Sequence, residues 1–121
     1  MKLVHGKITI ENEEDLFVTV DGNKIPLNKT SLGNSTYEIG QDVSGVIADD
    51  NTFHICKKYH DSRKGNVYGF ISEDDIESDF INITCVEPFE PKLISSGGGG
   101  YKERYEIGEH ISLRRELINN Y

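Results

Sequence analysis

Positive charge gathers tightly around an aromatic side chain in one stretch of this chain, Lys57-Lys58-Tyr59-His60-Asp61-Ser62-Arg63-Lys64. Cations in that arrangement can follow a phosphate backbone while Tyr59 stacks on a base. Tyr101-Lys102-Glu103-Arg104-Tyr105, together with Arg114-Arg115, forms a looser cluster of similar composition. The plainer reading of the two is a solvated linker and an exposed strand face.

Other groupings carry less chemistry. His54, Cys56 and His60 have the spacing H-x-C-x3-H, and on a strand the first two share a face. A structural zinc site needs four ligands, so Cys85, His5 or His110 would have to complete it. The spacing is not that of recognised ligand pairs, and no metal or other cofactor is expected. The acidic runs 11–15 and 73–79 hold carboxylates that suit divalent cations, but neither has the form of a calcium loop. They read as solvated turns. Gly97-Gly98-Gly99-Gly100 is followed by Tyr101 rather than by the Lys-Ser/Thr of a phosphate loop. No nucleophile stands beside a base in a recognisable pattern, so no catalytic residues are assigned and no enzymatic activity is expected.

The elements that position these residues are announced by a repeat. Tyr37-Glu38-Ile39-Gly40-Gln41-Asp42-Val43-Ser44 returns as Tyr105-Glu106-Ile107-Gly108-Glu109-His110-Ile111-Ser112. Upstream, Val4–Ile8 is echoed by Val67–Ile71, and Leu16–Val20 by Asp79–Ile83. Ordered matches with one insertion are the trace of a duplicated unit. Fourteen isoleucines against the single Ala48 point to β structure, because β-branched side chains suit a pleated, half-buried surface. Alternation places strands at 2–11, 16–20, 24–27, 37–47, 52–57, 67–71 and 80–86, with Asp21-Gly22 at a hairpin turn and Pro26 marking an edge. Residues 105–117 alternate as a strand. A helix over 109–119 is the competing reading, and the repeat favours the strand.

The expected fold is therefore all-β, with two related small barrel-like units (OB/SH3-like, from an internal repeat) in one compact chain. The first unit spans 1–58, a connector 59–66, and the second 67–121 with a Gly-rich loop at 95–100 that is expected to be mobile. The second unit is expected to lack the strand that Phe53–Lys57 supplies in the first. An incomplete barrel leaves an open edge that invites pairing with another chain.

A net charge of −8 works against sequence-independent binding to nucleic acid and to anionic membranes. Two cysteines without a C-x-x-C pattern, and no apolar leader or spanning stretch, lead us to expect a cytoplasmic protein with reduced thiols and no membrane partner. The bias towards Ile, Asn and Lys, with scarce Ala, leads us to expect an AT-rich genome of origin, such as a viral one.

Gly6-Lys7-Ile8, Phe17-Val18 before Gly22, Leu27–Ser31 and the segment Tyr37–Ile47 together resemble the S1-type barrel of the OB superfold over residues 2–58. The resemblance implies that Phe17 matches the second-strand aromatic on which such barrels stack a base. Asp15-Leu16 stands where the family has a glycine, and Lys29 lies nearest the place of its third-strand histidine. Read without the resemblance, Phe17 is a core residue. Two functions follow from different classes. One is a non-enzymatic assembly or protein-interaction module, self-associating or bound to a protein partner. The other is a single-strand binder of RNA type, using Phe17, Lys29, Phe53, Lys57, Lys58, Tyr59, Arg63 and Lys64.

Overall fold

The computed structural model describes residues 2–10, 15–62, 65–87, 107–119 and 121. Arg63, Lys64, most of the first acidic run, the four glycines and the 101–105 cluster lie outside them. Among the described residues, ten strands make two five-stranded antiparallel sheets, one curled into a half-barrel. The chain is all-β.

The first sheet contains β1 (Val4–Ile10), β2 (Leu16–Val20), β3 (Asn23–Pro26), β4 (Asp42–Ile47) and β5 (Phe53–Ile55), in the order β3-β2-β1-β4-β5. Its tightest turn follows from sequence. Asp21 and Gly22 both have positive φ, 49° and 80°, the twist that a two-residue hairpin needs. Period-2 alternation then sends Ile8, Val18, Val20, Ile25, Leu27, Val43, Phe53 and Ile55 into one core. The outermost strands of the sheet also meet. Leu27, just after β3, bridges Phe53 of β5 in parallel, and Asn28 N–H donates to the Phe53 carbonyl at 2.9 Å. A 3-10 turn at Lys29–Leu32 sits at this closure, where the buried Ser31 hydroxyl accepts from Ile55 N–H at 3.0 Å.

The second sheet contains β6 (Lys57–Asp61), β7 (Gly65–Glu73), β8 (Phe80–Glu87), β9 (His110–Arg114) and β10 (Ile118–Asn119), in the order β10-β6-β7-β8-β9. Two expectations change here. Much of the stretch 59–66 is strand: β6 pairs with β7 from Lys57↔Gly69 to Asp61↔Gly65. Nor does the second sheet lack a strand, because β6 and the two-residue β10 complete it. Polar, charged composition hid β6, whose inward positions are Tyr59 and Asp61. The C-terminal segment is strand at β9, then a 3-10 turn at Arg115–Leu117, where the alternating pattern breaks. Tyr59, Val67, Ile71, Ile81, Ile83, Cys85, Ile111 and Leu113 form the second core.

Over their described residues, the two copies of the repeated phrase form the same turn. Gly40 and Gly108 each have φ 84°. Gly40 N–H donates to Ile8 O at 2.7 Å while Ile8 N–H donates to Gln41 O at 3.0 Å. Gly108 N–H donates to Cys85 O at 2.7 Å, and Cys85 N–H to Glu109 O at 2.8 Å. The strand entered differs in its partner. β4 pairs with β1, whereas β9 pairs with β8, which the upstream sequence matches align with β2 rather than β1.

A third cluster joins the sheets. Val46 and Cys56 pack with Phe70 and Val86, flanked by Leu3 and Tyr68. Tyr121 adds a polar clasp. Its backbone oxygen accepts from Asn34 N–H at 3.0 Å and from Lys57 Nζ at 3.4 Å, while its hydroxyl bonds Asp74 and Arg115.

Candidate functional site

The outward face of β1, β2, β3 and β4 is the most developed surface of the first sheet. Because Val18 and Val20 face the core, Phe17 and Thr19 must point outward. Pairing sets Phe17 between Thr9 of β1 and Pro26 of β3. Phe17 is half-buried and belongs to no core cluster, so its reading as a core residue is overturned. The alternation of Leu16-Phe17-Val18 is apolar on both faces, which is why sequence alone could not orient the ring.

Beside it runs a groove of about 450 Å3 lined by His5, Lys7, Thr9, Thr19, Asp21 and Asp42. His5 and Ser44 stand opposite each other across β1 and β4, and His5 Nδ1 lies 2.7 Å from Ser44 Oγ. Lys7 Nζ lies 3.4 Å from Asp42. Thr9 and Thr19 hydroxyls are 3.4 Å apart. Lys24, on β3 opposite Thr19, adds a further cation. The face thus carries Lys7 and Lys24 against Asp21 and Asp42, balanced in charge.

The other candidate binding residues are dispersed. Phe53 is wholly buried in the first core and Tyr59 in the second, so neither ring is open to a stacked base. Burial, above all, and the neighbouring Tyr37 push the Tyr59 hydroxyl well above the ordinary tyrosine range. Lys57 is half-buried at the seam between the sheets. It donates to Ser35 Oγ at 2.8 Å and lies 5.5 Å from the Tyr59 ring centre, and burial lowers its pKa. Lys29 and Lys58 are exposed, Lys29 on the 3-10 turn after β3 and Lys58 on β6 of the second sheet. Phe17 is therefore not gathered with the 57–62 segment into one surface.

His54, Cys56 and His60 are likewise separated in role. The His54 ring packs at a tilt of 39° against Phe70 with centres 4.8 Å apart, Cys56 lies in the seam cluster, and His60 Nδ1 is 2.7 Å from Asn66 Oδ1. Among the described residues, no three His, Cys, Asp or Glu side chains gather as a metal site. Among them also, no helix is long and apolar enough to cross a membrane.

What sequence reasoning missed is the groove. Thr9, Thr19, Asp21 and Asp42 are ordinary polar residues, and only the β2-β1-β4 register assembles them. Hairpin pairing through Asp21-Gly22 could have predicted Thr19 beside Lys24, but the β1–β4 pairing is non-local. Compared with known proteins, the chain matches no family model, no curated protein and no solved structure.

Proposed function

We propose that this chain is a non-enzymatic protein-interaction module that self-associates through the outward face around Phe17. The observation that carries the reading is an aromatic ring turned outward beside a groove whose positive and negative side chains balance. Phosphate recognition needs net positive charge, since affinity comes from neutralised phosphates. Here Lys7 is already opposed by Asp42, in a chain of net charge −8. A face of mixed sign suits a protein surface, which can present both signs in return.

The second reading, a single-strand binder, is favoured by topology. The order β3-β2-β1-β4-β5, with a parallel meeting of β3's end and β5 and a 3-10 turn beside it, is compatible with a small barrel of OB type. The second sheet, with a 3-10 turn leading into the short strand that pairs with β6, suits an SH3-like barrel. OB barrels bind oligonucleotides across the faces of their second and third strands, where Phe17 stands.

Sedimentation velocity over a concentration series, with the wild type and Phe17→Asp, separates the readings when paired with anisotropy titration of labelled single-stranded RNA. The module reading expects an oligomer that Phe17→Asp returns to monomer with its circular dichroism unchanged, and no RNA binding at physiological salt. RNA binding that falls steeply with salt and is lost in Phe17→Asp would replace it with the second reading. A monomer that binds no RNA would overturn both.

A further inference from the structure

The seam between the two sheets holds a titratable group with an incomplete set of partners. His54 lies on β5 between the inward Phe53 and Ile55, so its ring points away from the first core. There it meets Phe70 of β7, which belongs to the seam cluster with Val46, Cys56 and Val86. Its Nε2 lies 3.0 Å from Thr52 Oγ1, and that hydroxyl is 2.6 Å from Asp50 Oδ1. The exposed Asp50 carboxylate is acceptor-only when ionised, so Thr52 donates to Asp50 and accepts from His54 Nε2–H. That assignment leaves Nδ1 without a proton. Nδ1 is buried and has no hydrogen-bond partner among the protein's described groups.

We propose that this seam is a pH-sensitive joint, loosened when His54 takes up a proton at Nδ1. The added N–H would be buried without an acceptor, and the added charge would face an apolar cluster, both of which oppose the closed seam. The groups around the ring give little compensation. From its own loop Asp50 acts on it, through Thr52 and from an exposed position. From β4 it meets Val46, and from β7 and β8 the cluster supplies Phe70 and Val86. The titratable members of the cluster are the Cys56 thiol and the Tyr68 hydroxyl, neither of them a carboxylate that could balance the charge. Burial accordingly holds the His54 pKa below its ordinary value of 6.5, with Asp50 pulling the other way. A depressed basic group contributes stability that is complete above the unfolded-state pKa. It is lost as pH falls below about 6.5, where the open form binds the proton and the closed form does not.

The two cysteines report the joint separately. Cys56 lies in the seam and Cys85 in the second core. Brief modification by a disulfide reagent active at mildly acid pH, followed by mass spectrometry, gives the ratio of Cys56 to Cys85 labelling from about pH 7.5 to 5, the span of an imidazole titration. In the wild type the ratio should rise several-fold on acidification. In His54→Phe, which keeps a ring against Phe70 but takes no proton, it should stay flat. His54→Gln serves as the second neutral variant and should also stay flat. A wild-type ratio independent of pH would overturn the proposal, as would the same rise in either variant, or both cysteines reacting together as the whole fold opens.

Discussion

At the scale of single residues, burial separates aromatics that the sequence presents as equals. Phe17, Phe53 and Tyr59 all sit among β-formers, yet one faces outward and two lie at the centres of cores. The difference lies in parity, which a run of apolar neighbours conceals. Phe17→Ala should accordingly cost less than about 1 kcal/mol in urea denaturation, whereas Phe53→Ala should cost about 3–5 kcal/mol as a core truncation. Tyr59 makes a further prediction. An acid whose folded pKa is raised contributes stability that is present below its unfolded pKa of about 10 and lost as pH rises beyond it. Absorbance titration of the tyrosinates should show Tyr59 ionising only as the protein unfolds, and Tyr59→Phe should withstand alkali better than the wild type.

At the scale of elements, turns were readable and long-range pairings were not. Asp21-Gly22 and the two Gly-containing copies of the repeat are local signals, decided by which residues tolerate positive φ. Gly40→Ala and Gly108→Ala should each cost about 1 kcal/mol, because φ 84° is strained for a Cβ although open space surrounds both positions. Gly45 and Gly69 are different in kind. Their φ is ordinary, but a Cβ at Gly45 would fall on the His54 carbonyl and the Phe53 ring, and one at Gly69 on the Thr84 carbonyl. Alanine at either site should cost more than at Gly40, measured by the same denaturation midpoint. β6 went unseen because Lys57-Lys58-Tyr59-His60-Asp61 reads as a linker until β7 is laid beside it.

At the scale of the whole molecule, two cores, one shared cluster and the Tyr121 clasp hold the sheets together. Repetition in sequence pointed to two units. It could not show the seam, whose members come from strands far apart in the chain. Tyr121→Phe removes the hydroxyl that bonds Asp74 and Arg115 but keeps the backbone oxygen on Asn34 and Lys57. It should cost about 1 kcal/mol, and its effect should not add fully to that of Asp74→Ala, since both delete the Tyr121–Asp74 bond. The place of the clasp in the chain also sets an order of assembly. All five strands of the first sheet are present once residue 55 has been synthesised, and they can close around Phe53. The second sheet must wait, because β6 gains its outer neighbour only when Ile118 returns to Asp61. Such distant closure is slow relative to hairpin formation. During synthesis the first sheet can therefore close before Phe70 and Val86 are in place to cover it, and Val46 and His54 would be bare to water until they are.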